Sequence, residues 1–142
     1  MTKNFTIIFN KMILDITRRH LAARMVNELE DLFKKYPDGF YKFFAPCNHK
    51  DYKKGDSWAE EIMCSRVAFN RNFEKLGIRY SSRKKFFKEK DPFKGKMYVS
   101  YYDRDIYKTF YIRNHKVADD FFSSSLEEAR AKYEEWNKGK TN

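Results

Sequence analysis

Four polar side chains with the chemistry to recognise nucleic-acid bases lie within one short segment. They are Arg66, Asn70, Arg71 and Lys75. Helical spacing places them opposite three apolar residues, which are Phe69, Phe73 and Leu76. An arginine can donate to O6 and N7 of guanine, and an asparagine can pair with N6 and N7 of adenine. The pattern predicts a helix that fits the DNA major groove, and the alternative interpretation is a solvated surface helix.

Residues 56–77 predict two short helices joined by a tight turn. Ser57 followed by Glu60 is typical of a capping box at the start of the first helix. Ser65 can cap the second helix, which we expect to end at Gly77 because glycine commonly terminates helices. The arrangement is that of a helix-turn-helix, and its second helix carries the four polar side chains.

The formal net charge of +10 is concentrated at and after this second helix. Residues 66–96 carry eleven Lys or Arg and three Asp or Glu. A localised basic block beside a helix-turn-helix favours a polyanionic partner, whereas a basic surface without a partner would only increase solubility. The basic residues beyond the helix that we expect on phosphates are Arg79, Arg83, Lys84, Lys85, Lys88 and Lys90.

The chain before the helix-turn-helix has a long helical pattern. Apolar residues recur at spacings of three to five over residues 11–35, which predicts an amphipathic N-terminal helix. It is either a single helix or two helices, with Thr17 capping the second, and a Pro-Asp-Gly sequence ends it. The aromatic run at 40–44 favours a strand or the edge of a helix, and residues 5–9 favour a short strand or the approach to a helix.

A β-hairpin is predicted over residues 96–113, after a basic linker. Arg104 lies near its tip, where we expect it to contact phosphate. One face of the hairpin should pack on helices, although its tyrosines could instead stack on unpaired bases. These tyrosines are Tyr98, Tyr101, Tyr102, Tyr107 and Tyr111. Residues 117–138 are helical in pattern, with Ser125 and Glu128 as a second capping box.

Several short motifs together resemble a known type of DNA-binding module. They are Asp56-Ser57-Trp58, Cys64-Ser65-Arg66, Phe69, Phe73, Gly77-Ile78-Arg79-Tyr80, Gly95-Lys96-Met97-Tyr98 and Arg113-Asn114-His115. Over roughly residues 38–116 the chain is similar to winged helix-turn-helix segments in replication initiators and transcription regulators of plasmids, phages and other mobile elements. The resemblance implies that the second helix binds DNA and that the hairpin is a wing on the DNA backbone. Met63 stands where the simplest helix-turn-helix has glycine, and Asn72 where an apolar residue often packs.

We therefore expect a single α+β domain over residues 1–142, a winged helix-turn-helix with an N-terminal amphipathic helix, a β-hairpin wing and a C-terminal helix. The expected function is sequence-specific binding of double-stranded DNA in replication initiation or transcription regulation. We expect no enzymatic activity, no cofactor and no small-molecule substrate, and a homodimer is possible. The alternatives are a protein-interaction or dimerisation module on the same scaffold, and an RNA or single-strand binder.

Other classes of protein have little support in the sequence. Two cysteines do not make a disulfide framework, and Cys47 and His49 are too closely spaced for a usual zinc loop. The chain has no Gly-rich phosphate loop, HExxH motif or nucleophile elbow, which argues against catalysis. No apolar run reaches 18 residues, and residues 1–9 lack a signal-peptide pattern, so we expect a cytoplasmic protein without a membrane partner.

Overall fold

A computed structural model describes residues 10–139. The architecture is α+β, and within the described residues there are seven helices and four strands. In chain order they are α1 (Lys11–Thr17), α2 (His20–Lys35), β1 (Phe40–Lys42), α3 (Trp58–Ile62), α4 (Arg66–Glu74), β2 (Gly77–Tyr80), α5 (Arg83–Lys88), β3 (Tyr98–Asp103), β4 (Lys108–Arg113), α6 (His115–Ser123) and α7 (Leu126–Trp136). The strand or helix approach predicted at residues 5–9 lies outside the described residues.

The N-terminal pattern over residues 11–35 forms two helices, which is one of the two alternatives that the sequence left open. Arg18 adopts a left-handed conformation with φ of +56°, and its N–H donates to the Leu14 carbonyl, which ends α1. Thr17 does not cap α2 as its N-cap residue, because Arg19 holds that position. The break turns α1 back onto α2 and buries Ile13, which one continuous helix would carry away from the core.

The predicted pair of short helices is confirmed, and only the end of the second helix differs. The hydroxyls of Ser57 and Ser65 accept from the third backbone N–H of α3 and α4, respectively. Helix α4 ends at Glu74 and not at Gly77, which is the first residue of β2. A Cβ on Gly77 would lie 2.5 Å from the carbonyl oxygen of Tyr98, so the close pairing of β2 with β3 needs glycine there.

The four strands form one sheet in the order β1-β4-β3-β2. The hairpin predicted over residues 96–113 is present as antiparallel β3 and β4, and β1 extends it antiparallel to β4. Strand β2 pairs parallel to β3 on the other side. The basic segment before the hairpin contains regular structure, because residues 78–96 hold most of β2 and all of α5.

Helices cover both faces of this sheet. On one face Tyr98 and Tyr111 contact the ring of Phe73 from α4. On the other face Tyr101 stacks on Phe86 of α5, with ring centroids 5.0 Å apart. Alternate residues of a strand point to opposite faces, so Tyr98 and Tyr101 place α4 and α5 on opposite sides. The hairpin is thus buried on both faces, where the alternation predicted one.

A partly buried ion pair connects the C-terminal half of the fold to α2. Arg113 of β4 donates through Nε and Nη2 to the carboxylate of Glu30, at 2.8 to 3.2 Å. The hydroxyl of Tyr98 donates to the same carboxylate at 2.8 Å. Asp119 of α6 accepts from Nη1 of Arg113 at 2.9 Å. These bonds join α2, β3, β4 and α6 around one charged cluster.

The C-terminal helices predicted over residues 117–138 are present with slightly shifted bounds. Asn114 caps α6 by accepting from the N–H of Val117. The capping box predicted at Ser125 and Glu128 is confirmed at the start of α7.

Candidate nucleic-acid interface

Helix α4 turns its apolar side into the core and its polar side to solvent. Phe69 and Phe73 are buried, whereas Arg66 and Arg71 are exposed and Asn70 is half-buried. The outer surface of the first turn also carries an apolar side chain that the sequence analysis missed, because Val67 is 65% exposed. The sequence contains a signal for this exposed residue. Val67 stands between Arg66 and Asn70, outside the helical spacing of the buried phenylalanines.

Lys75 lies apart from the other three polar residues of this segment. It is the C-cap residue of α4 and is half-buried. Its carbonyl oxygen accepts from Nδ2 of Asn137 at 3.1 Å, which connects this end of α4 to the end of α7. The candidate base-reading residues are therefore confined to the first two turns of α4, where Arg66, Asn70 and Arg71 lie.

The position of Arg66 is set by an aromatic ring. Its guanidinium carbon lies 4.6 Å from the centroid of Phe44, which itself packs edge-to-face on Phe69. A guanidinium over an aromatic face is held by a cation–π interaction and keeps its donors free at the edge of the plane. Phe44 thus restrains Arg66 at the start of α4 before any ligand is bound.

A cleft of about 280 Å³ separates the first turns of α4 from the sheet. Arg66 and Asn70 line it from the helix, and Arg79 lines it from β2. Tyr102 of β3 lines it from the hairpin. Arg79 also lies 3.7 Å from the carboxylate of Glu74, with both side chains about half exposed. The cleft therefore brings together three residues predicted to bind DNA, which are Arg66, Asn70 and Arg79.

The tip of the hairpin is braced by the loop that precedes α3. His49 bonds through Nε2 to the carbonyl oxygen of Ile106 at 2.7 Å. Lys108 donates to Asp51 at 2.6 Å, and this bond lowers the pKa of the Asp51 carboxyl. Arg104 is exposed in the turn between the strands, near the hairpin tip where the sequence places it. The loop holds the turn that presents Arg104.

The basic residues of α5 are placed away from α4. Arg83, Lys84, Lys85 and Lys88 of this helix are exposed, and so is Lys90, which follows it. The helix that carries them is anchored by Phe86 on the sheet face opposite to α4. The basic block is thus continuous in sequence but is divided between two sides of the molecule.

The five hairpin tyrosines fall into two groups. Tyr98, Tyr101 and Tyr111 are buried, and burial raises the pKa of Tyr111 to about 12. Burial and the nearby carboxylate of Glu30 also raise the pKa of Tyr98. Tyr102 and Tyr107 are 37% and 67% exposed. Only these last two can stack on a base from solvent.

No metal or membrane feature is found in the described part of the chain. Among residues 10–139, no group of three or more His, Cys, Asp or Glu could hold a metal ion. None of the helices described there is long and apolar enough to cross a bilayer. Cys47 and Cys64 are both free thiols, and burial raises the pKa of Cys64.

Comparisons with known proteins give this chain no family. A scan against models of protein families, a search of curated proteins and a search of solved structures each found no match. The resemblance to winged helix-turn-helix proteins therefore stays a prediction, and the function has to be argued from the residues of this chain.

Proposed function

We propose that this protein binds double-stranded DNA with sequence preference, with α4 in the major groove and the β3–β4 hairpin as a wing on the backbone. The observation that carries the proposal is the outer surface of the first two turns of α4. Val67 and Arg71 lie there, and Arg66 and Asn70 flank them at the edge of the cleft, on a helix held in place by buried phenylalanines. A major groove admits one α-helix and is read by such side chains near the helix start.

The order of the elements supports a winged-helix interpretation. Helix α2 and strand β1 precede α3 and α4, and the hairpin of β3 and β4 follows. Strand β1 joins the hairpin through β4, as expected of a three-stranded wing sheet. Strand β2 and helix α5 lie between α4 and the hairpin as additional elements. Replication initiation or transcription regulation on a mobile element is the context that the resemblance implies.

Each side chain of this surface has a distinct proposed partner. Arg66 and Arg71 suit guanine, and Asn70 suits adenine. Val67 is placed to contact the methyl group of thymine, which is a readout by apolar contact. Arg79 and Arg104 suit phosphates, which fix the register of the protein without specifying sequence. The proposal thus assigns base reading to α4 and positioning to its neighbours.

The test is duplex affinity after removal of the two arginines of α4. We expect Arg66→Ala with Arg71→Ala to weaken binding of a duplex selected from random sequences by at least tenfold at physiological salt. The reason is that one bidentate arginine–guanine contact supplies roughly 1–3 kcal/mol of discrimination. The readout is fluorescence anisotropy, and a thermal melt confirms that the variant is folded.

A matched control removes the same charge elsewhere. Lys116→Ala with Arg130→Ala takes two exposed cations from α6 and α7. This variant should retain most of the duplex affinity. It should lose only the contribution that long-range attraction between charges makes to binding. Equal losses in the two double variants, or no loss in the α4 variant, would contradict base reading by α4.

A further inference from the structure

We infer that single-stranded DNA is bound in a groove between α4 and the hairpin, next to the duplex that α4 reads. We define this hairpin groove by Phe44, Arg66, Arg79, Tyr102 and Tyr107. The inference rests on the proposed function, since a duplex on α4 supplies the adjoining strand. It goes beyond that function because it assigns an unpaired strand to a second surface.

The hairpin groove is formed by two adjoining clefts. The cleft of about 280 Å³ beside α4 adjoins a second one of about 360 Å³, which extends to Tyr107 near the hairpin tip. Phe44, Arg66, Tyr102 and Thr109 line both clefts, so the two clefts lie side by side with these residues between them. These volumes lie near the lower end of the range of small-molecule sites, which is roughly 300–1,000 Å³, and a duplex is too wide to enter the clefts.

Exposed aromatic rings are spaced along the hairpin groove. Tyr107 lies at one end and Tyr102 in the middle, whereas the ring of Phe44 is partly buried and lies under the guanidinium of Arg66. The other hairpin tyrosines are buried, but Tyr102 and Tyr107 keep 37% and 67% of their surface exposed. Each base has a flat apolar face, so such rings hold a single strand with little sequence preference.

The charge of the hairpin groove suits a phosphate backbone. None of the described residues that line the two clefts carries a carboxylate. Arg66 and Arg79 provide cations, and Thr109 provides a hydroxyl donor. A basic groove with stacking rings is the arrangement by which proteins bind single strands. The groove opens beside the start of α4, so an unpaired strand can enter it from the end of a bound duplex.

The experiment compares a blunt duplex with the same duplex carrying a single-stranded DNA tail at its 5′ or 3′ end. We expect one of the two tails to raise the affinity of the wild-type protein about tenfold, as stacking of a single base can supply. Tyr102→Ala with Tyr107→Ala should abolish this gain, which is measured as the ratio of tailed to blunt affinity and so does not depend on any effect of the hairpin on the blunt duplex. Tyr102→Phe with Tyr107→Phe should restore the gain, because the rings are kept.

Tyr36→Ala is the matched control, because this tyrosine is 52% exposed at the end of α2 and does not line either cleft. It should keep the full gain from the tail. The inference is overturned if neither tail raises wild-type affinity, or if the double alanine variant keeps the gain. An RNA tail bound more tightly than the DNA tail would overturn the assignment to DNA.

A different variant separates the two proposals. Arg71 is exposed on α4 and does not line the clefts, so Arg71→Ala should weaken blunt and tailed duplexes by the same factor. If Arg71→Ala changes neither affinity, duplex reading by α4 fails while the tyrosine-dependent gain from the tail still supports the groove.

Discussion

Met63 occupies a backbone conformation that favours glycine. Its φ and ψ are both +58°, in the left-handed region, and it forms the turn between α3 and α4. For a residue with a Cβ this conformation costs roughly 1–2 kcal/mol of free energy. The side chain is 82% exposed, so little packing offsets this cost. The turn therefore keeps the left-handed geometry for which glycine is usual, although the sequence has methionine there.

Replacing Met63 by glycine should therefore stabilise the protein. We expect Met63→Gly to raise the free energy of unfolding by roughly 0.5–1 kcal/mol, because relief of the strained φ exceeds the added entropy of the unfolded chain. Met63→Ala keeps the Cβ and should show no such gain. Urea unfolding of the three proteins measures the effect, and equal stability of the Gly and Ala variants would argue against strain.

Asn72 is the second departure from the simplest helix-turn-helix pattern. It is buried, and its Nδ2 donates to the carbonyl oxygen of Ala68 at 2.8 Å. Its Oδ1 is also buried and has no hydrogen-bond partner among the residues that the structure describes. A buried acceptor without a partner costs free energy. An apolar residue of similar size would therefore stabilise α4 more than Asn72 does.

At the scale of elements, the ion pair of Glu30 and Arg113 joins α2 to the sheet and to α6. Both side chains are mostly withdrawn from solvent, and the carboxylate of Glu30 also accepts from Tyr98. The desolvation of two charges offsets much of their attraction. The contribution of the pair is therefore best seen when only one partner is removed.

Removal of Arg113 alone should be costly. We expect Arg113→Met to lower the free energy of unfolding by roughly 2–4 kcal/mol, because Glu30 is left as a partly buried charge without its cation. The double variant Glu30→Met with Arg113→Met should recover a large part of this loss. Chemical denaturation of the single and double variants measures the coupling, and simple additivity would show that the two side chains act independently.

At the scale of the whole molecule, the two sides of the sheet separate the basic residues into two surfaces. Helix α4 lies on one side with Arg66, and helix α5 lies on the other side with Lys84 and Lys85. Physiological salt screens interactions between exposed charges beyond about 8 Å. Charges on α5 therefore cannot act as near neighbours of a duplex that lies along α4.

This placement predicts unequal effects for equal changes of charge. Lys84→Ala with Lys85→Ala should lower duplex affinity less than about threefold at physiological salt, because α5 faces away from the proposed duplex. Arg66→Ala with Arg71→Ala removes the same charge and should cost at least tenfold. Side-by-side titrations test the order, and a larger loss from the α5 variant would mean that the duplex lies on the other side of the sheet.

Features governed by near neighbours in the chain were predictable. The caps at Ser57, Ser65 and Ser125, the buried stripe of α4 and the hairpin follow from side chains within a few residues of one another. The break at Arg18 was open to either outcome, because helical periodicity continues across it. The end of α4 was misplaced at Gly77, because that glycine is required by contact with Tyr98 and not by a helix end.

The amino-acid sequence by itself determined the short helices, the hairpin and the basic composition of the segment from Arg66 to Lys96. Only the tertiary structure decided which of these charges share a surface and which tyrosines stay exposed. The physical reason is that helix caps and periodicity act over a few residues, whereas the parallel pairing of β2 with β3 and the docking of α5 depend on contacts distant in sequence. Those distant contacts place Arg66, Arg79 and Tyr102 around one cleft and put Lys84 on the opposite side.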